Sequence, residues 1–259
     1  MNAVNQSIED IAGYSVCTQS VSACVSDVVT WIQQASHEQQ CRLLACINPH
    51  SYVVSLNDPA FAQALHTADW LLPDGVGIVY ASKLLGGQIR ERVTGNDIFH
   101  GVQSALNRLG GYRVFFLGST EAELADISKR MARDYPHIQI AGMYSPPFTP
   151  KFSAADNQAM IAAINAAAPD VLWVGMTAPK QEKWLCQNIA KLNVKFAAGV
   201  GSVFDFYSGT VKRSPLIFQR LGLEWLPRLL RHPRRVWRRM FISAPIFVLH
   251  IMRRAVGLS

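Results

Sequence analysis

The chain has 259 residues, 49% hydrophobic and 17% charged, which suits a globular protein with a sizeable core and excludes a disordered or low-complexity chain. The net charge of +7 is unevenly placed: residues 212–259 hold eleven of the 25 Lys/Arg and a single acid, Glu224, which leaves 14 basic against 17 acidic residues before them. The five cysteines (Cys17, Cys24, Cys41, Cys46, Cys186) are odd in number and form no CxxC pair, which excludes a disulfide framework or zinc knuckle and points to a reduced, cytoplasmic setting.

Taken in chain order, the start, MNAVNQSIED, lacks the basic and apolar regions of a secretory signal. Short apolar runs then alternate with longer segments of helical spacing. The runs are 42–47, 113–118, 138–143, 170–176 and 194–200, with a further apolar stretch ending at Pro73-Asp74-Gly75. Helical spacing is read over 56–68, 76–86, 96–109, 120–134, 153–167 and 179–191. Near-continuously apolar strands alternating with helices predict an α/β fold, a mostly parallel Rossmann-like sheet with helices on both faces. Residues 1–211 are taken as this catalytic domain. Near 212 the composition changes, and 212–259 reads as a basic, amphipathic helical appendage.

Parallel sheets bind ligands at the carboxyl ends of their strands, so the residues after each run carry the functional reading. They are "NPHS" after 42–47, Asp74, Ser119-Thr120, "TAPKQEKW" after 170–176 and "GSVFDFYSG" after 194–200. Gly118, Gly199 and Gly201 allow close backbone approach, and helix starts favour phosphate, so a nucleotide-bearing substrate is expected. The usual nucleotide signatures, GxxxxGK[ST] and GxGxxG after a strand, do not occur, nor does an Asp-x-Asp pair for a metal diphosphate. A bound diphosphate would then rely on backbone N–H groups and on Arg90, Arg92, Lys180, Lys212 or Arg213. Asp74 is the carboxylate singled out: partial burial at a cleft can lift it toward the range of a general base. The bland alternative is a turn former. Asp97 is expected to cap the helix that follows it, and Asp205 either shapes its loop or touches substrate.

In the tail, Ser214-Pro215 signals a helix start and Pro233 a break. Leu226, Leu229, Leu230, Trp237, Met240 and Phe241 recur at helical spacing with arginines between them, a pattern suited to an anionic membrane surface. The apolar run 240–252 is too short to span a bilayer. Nucleic-acid binding by the arginines is the competing reading, held lower because no nucleic-acid motif accompanies them.

The successive stretches "LLPDGVGIVYASKLLGG…RERVTGNDIF", "VFFLGST", "VGMTAPKQEKW", "AAGVGSVFDFYSGTVKRSP" and "LGLEWLPRLLRHPRR" resemble the motifs of the WecG/TagA/CpsF glycosyltransferases, family 26, in order from about Asn48 to Arg239. The resemblance implies an inverting transferase that needs no metal or other cofactor. It implies transfer of a sugar from a UDP-sugar to a polyprenyl-diphosphate-linked saccharide on the inner face of the cell membrane, in surface or exopolysaccharide synthesis. It places the catalytic residues on Asp74, the base, and Arg92, and substrate contacts on Asn48, Gln181 and the appendage arginines Arg228, Arg235 and Arg238. The reading of the strand ends adds Cys46, Gly118, Lys180, Gly199, Gly201 and Asp205 as substrate-binding candidates. Cys46 and Asn48-Pro49-His50 depart from the family's usual residues where the donor sugar is read, so the donor stays open among N-acetylmannosamine, its uronic acid and glucose. No nucleic acid is expected as partner, and a homo-oligomer is left open.

Overall fold

The computed structural model describes residues 7–211 and 237–257. Six parallel strands form the main sheet: β3 (Arg42–Ile47), β4 (Trp70–Pro73), β5 (Arg113–Gly118), β6 (Gln139–Tyr144), β7 (Val171–Gly175) and β8 (Phe196–Gly199), in the order β4-β3-β8-β7-β5-β6. Two short strands, β1 (Ile8–Ile11) and β2 (Tyr14–Cys17), pair antiparallel as a separate hairpin. Its two turn residues, Ala12 and Gly13, both have positive φ (52° and 96°), the twist that a two-residue hairpin turn requires.

The sheet is apolar on both faces because successive side chains point opposite ways. In β5, Val114 and Phe116 enter one core while Phe115 and Leu117 enter the other, and Val171/Trp173 and Leu172/Val174 of β7 divide in the same way. The first core is closed by α1 (Val21–Gln34), α5 (Gly95–Leu109), α6 (Glu121–Asp134) and α9 (Val203–Ser208). The opposite face is covered by α7 (Ala154–Ala167) and α8 (Lys180–Asn188), which a 3-10 turn, Ile189–Lys191, follows.

A third core gathers beside β3 and β4. It joins the hairpin, α2 (Pro49–Ser55), α3 (Pro59–His66), α4 (Val76–Leu84) and a C-terminal helix, α10 (Ala244–Ala255), entered through a π turn at Arg239–Ser243. Phe247 and Ile251 of α10 are buried there, and the Phe247 ring meets Tyr52 edge-on at 5.2 Å. Polar ties fix the same helix: Ser243 Oγ lies 2.9 Å from His50 Nδ1, the Tyr52 hydroxyl 3.0 Å from His250 Nδ1, and Arg254 donates to Asp10 at 2.8 Å. Part of the predicted appendage is thus built into a core. The expected helix start at Ser214-Pro215, the break at Pro233, Leu226, Leu229 and Leu230, and the diphosphate candidates Lys212 and Arg213 lie outside the described residues.

This packing predicts an asymmetry along α10. Phe247→Ala lowers stability by about 3–5 kcal/mol, the usual range for emptying a buried phenylalanine site. The neighbouring Val248→Ala, on the exposed face, stays within about 0.5 kcal/mol. Denaturant unfolding of the two variants checks this, and equal effects would contradict the placement of α10.

Candidate active site

A cavity of about 1230 Å³ runs along the carboxyl edge of the main sheet. Asn48, Asp74, Ser119, Ser145, Met176 and Val200, the residues that directly follow the six strands, all line it. Single-ligand pockets are commonly about 300–1,000 Å³, so this one has room for a nucleotide-sized group and a second reactant.

Asp74 stands at the β4 end. Its backbone N–H donates to Ile47 O at 2.8 Å and to Leu72 O at 3.0 Å, which pins the turn between β4 and α4. Asn48 stands beside it at the end of β3. Its Oδ1 accepts from the backbone N–H groups of His50 and Ser51 at 3.0 and 2.9 Å, capping α2, and its own N–H donates to Ser51 Oγ at 2.7 Å. With Oδ1 committed to two donors, Nδ2 can only face the other way, where it reaches Asp74 Oδ2 at 3.5 Å. One amide therefore starts a helix and orients the carboxylate.

The middle of the floor is a brace. Gln181 Oε1 accepts from Met176 N at 3.2 Å and Gly201 N at 3.1 Å, bridging the loops after β7 and β8. Gln181 Nε2 donates to Glu182 Oε1 at 2.8 Å. Glu182 is 6% exposed, and burial pushes its carboxyl up to about 7, partly offset by the Gln181 bond. The Cys46 thiol, at the end of β3, is pushed well above its ordinary range by burial and then by the nearby Asp74 and Glu182 carboxylates. It faces the cavity as a neutral thiol rather than a nucleophile.

Several features favour an anion. α8 starts at the cavity with no side-chain cap, its first-turn residues Lys180, Gln181 and Glu182 lining it, and α4 starts uncapped just past the cavity residue Asp74. The positive ends of their dipoles suit phosphate oxygens. Arg239, half-buried in the π turn, lines the cavity. Lys180 lines it too, but its ammonium donates to Thr149 O and lies 3.6 Å from the centre of the Phe152 ring. Desolvation lowers its pKa. Lys180 thus ties α8 to the proline-rich segment 145–152, whose Phe148 is fully exposed on the rim.

Of the residues expected from sequence, Cys46, Asn48, Asp74, Lys180, Gln181, Gly199, Gly201 and Asp205 come together around this cavity. Gly118 and Arg92 do not line it. A Cβ on Gly118 would stand 2.4 Å from Gly175 O, so glycine there serves the close passage of β5 and β7. Arg92 is half-buried in the segment between α4 and α5. Arg228 and Arg235 lie outside the described residues, and Arg238 is exposed on the approach to the π turn. Asp97 is not the cap of a helix that follows it: α5 already starts at Gly95 with Thr94 as its cap, and Asp97, in the first turn, closes the capping box by accepting from the Thr94 N–H. Thr94, Asn96, Glu182, the 145–152 segment and Arg239 line the cavity without having been singled out.

Residues 10–259 match the model of the glycosyl transferase WecG/TagA/CpsF family. The chain belongs to this family. It is 35% identical over 206 residues to an N-acetylglucosaminyldiphosphoundecaprenol N-acetyl-beta-D-mannosaminyltransferase of Bacillus spizizenii, covering 80% of this chain and 77% of that one. Proteins of the same name from Bacillus subtilis and Staphylococcus aureus are 31% and 25% identical, over 82% and 94% of this chain and 79% and 92% of theirs. It is a glycosyltransferase, and the nucleic-acid reading of its arginines is not favoured.

Asn48 has a testable double role. Asn48→Ala removes the α2 cap, at about 0.5–2 kcal/mol of stability, and also removes the amide contact to the Asp74 carboxylate. Asn48→Ser restores a capping oxygen but not the amide. The expected result is a stability largely recovered by Ser and an activity recovered by neither, read from thermal melts beside transfer rates.

Proposed function

We propose that the protein transfers a sugar, with inversion, from a UDP-sugar to a saccharide carried on polyprenyl diphosphate, at a membrane surface and in the synthesis of a surface polymer. The observation that carries this reading is the placement of Asp74. It lies on the strand-end side of a two-substrate cavity, held by Asn48, with anion-favouring helix starts beside it.

In this mechanism the acceptor hydroxyl attacks the anomeric carbon while Asp74 takes its proton. The bond between that carbon and the diphosphate oxygen breaks, and UDP leaves with the electron pair. Charge developing on the diphosphate is met by the positive end of α8 and by the Arg239 guanidinium. The donor is proposed to be UDP-N-acetylmannosamine and the acceptor an N-acetylglucosamine-bearing lipid diphosphate, after the names of the Bacillus and Staphylococcus relatives.

The acceptor's lipid sets the second half of the proposal. No described helix is long and apolar enough to cross a membrane. Beyond its buried residues, α10 exposes Val248, Leu249 and Met252, and the preceding segment exposes Trp237, Phe241 and Ile242. α4, packed against α10, exposes Val76, Tyr80 and Leu84 and begins directly after the Asp74-Gly75 turn. Arg238, Arg253 and Arg254 accompany these apolar residues. Such a surface suits peripheral docking on anionic lipid, with each basic residue near the leaflet adding about 1 kcal/mol.

Two experiments test the reading. Asp74→Asn is expected to keep UDP-sugar binding and lose about 10²–10⁴-fold in turnover on a synthetic polyprenyl-diphosphate acceptor; near-normal turnover would remove Asp74 from the mechanism. In flotation with vesicles, the protein is expected to bind anionic but not neutral membranes at low salt, and Leu249→Asp with Met252→Asp to abolish binding while the fold persists. Binding that ignores both lipid charge and these substitutions would rule out this docking face.

A further inference from the structure

Glu182 is the one acidic side chain of the cavity floor that the mechanism above does not use and that is also fully inside the protein. Three observations meet on it. Its Oε1 is held by Gln181 Nε2 at 2.8 Å, and the Gln181 amide is the brace between the loops after β7 and β8. Its Oε2 is buried and makes no hydrogen bond among the described residues, and no ion pair reaches it there. It lies in the first turn of α8, a helix start that faces the cavity uncapped. An ionised carboxylate with an orphaned oxygen is expensive in such a place; the neutral acid still leaves its hydroxyl without an acceptor there but is spared the larger cost of a buried charge.

Beyond the Gln181 amide and its own backbone N–H, which offset burial only in part, no ion pair reaches it among the described residues. From β3 the Cys46 thiol faces it, neutral in its own right, and Asp74 at the β4 end adds a like charge on the same thiol. α3 contributes Asp58, already engaged by Lys183 at 2.8 Å. On its own helix, Lys180 turns away to Thr149 and Phe152. Burial places the group on the edge of ionisation, at about 7.

We propose that Glu182 is a positioning residue for the donor's diphosphate, which the floor accepts in its intended shape only when Glu182 carries a proton. The inference rests on the UDP-sugar reading above. An anion arriving beside a carboxyl that titrates near neutrality favours its protonated form and lifts its pKa further. The sign follows from linkage. Below about pH 7 the group is already neutral and binding takes up no proton. Above it, binding draws a proton from solution, and affinity falls toward tenfold per pH unit until the pKa of the complex is passed. The neutral acid also keeps Oε1 as a plain acceptor for Gln181, so the brace stays in register while the anion is held.

Calorimetry of UDP-N-acetylmannosamine binding to the intact protein, without acceptor, tests this between pH 6 and 8.5 in buffers of unequal ionisation heat. A diphosphate diester has no proton of its own in this range, unlike a phosphate monoester with its second pKa of about 6. The expected result is uptake of a fraction of a proton, up to one, above pH 7. Glu182→Gln keeps the acceptor for Gln181 and is expected to lose the uptake, whereas Asp74→Asn retains it. Glu182→Ala, which strips the brace, is expected to bind more weakly at every pH. Donor binding without proton uptake by the unaltered protein overturns the proposal and leaves the donor reading standing, as does uptake that survives in Glu182→Gln. Failure to bind the donor at any pH overturns both.

Discussion

Parallel pairing is the constraint on which the site depends. Six strands running the same way must all end on one edge, and the chain must leave each of them there through a turn. Register then does the rest: Leu117 pairs with Val174 and Tyr144, and Ile47 with Pro73, so the ends stay level. Six exit residues, from Asn48 to Val200, are thereby delivered to one cavity, where Asn48 meets Asp74 and the Ser145 hydroxyl donates to Ser119 O. Backbone hydrogen bonds near a parallel edge run out where the strands stop, and the helix starts that follow present further unpaired N–H groups. An anion site at that edge is therefore a by-product of the architecture, and side chains are left to make it specific.

Much of this was legible in the sequence because strands buried on both faces read as unbroken apolar runs. β3 and β5 coincide with the runs at 42–47 and 113–118, and β6 lies within one residue of its run. The N-terminal hairpin and α1 went unassigned. Four-residue strands such as IEDI and YSVC carry too few residues for a period to show, and VSACVSDVVTWIQQ mixes β-branched residues into a helix whose cap, Ser20, is its clearest signal. The segment 49–66 is two helices, not one beginning at 56. Asn48-Pro49 and Asp58-Pro59 mark both starts, and these local signals say more than the apolar spacing did.

The site divided along the same line. Residues that follow strands directly, such as Asn48 and Asp74, could be found because topology alone places them. Glu182 escaped notice because burial, not sequence position, makes it unusual: in PKQEKW it reads as one more surface acid on a helix start. Arg239 and its neighbour Arg238 show the converse difficulty. In a run of arginines the spacing does not say which guanidinium turns inward, and a π turn shifts the helical phase by one residue at that point.

The tight meeting of β5 and β7 has a consequence for how such an enzyme can change. A Cβ on Gly175 would stand 2.2 Å from the Phe204 ring, and one on Gly118 would strike Gly175 itself. Neither glycine can gain a side chain without displacing its neighbour, so this backbone contact of β5 and β7 is closed to point substitution. The exits of β3 and β4 are different, for there Cys46, Asn48 and Asn96 present ordinary side chains. Single exchanges are sterically open at those exits and closed at the two glycines, so the sheet keeps its crossing while its rim can vary.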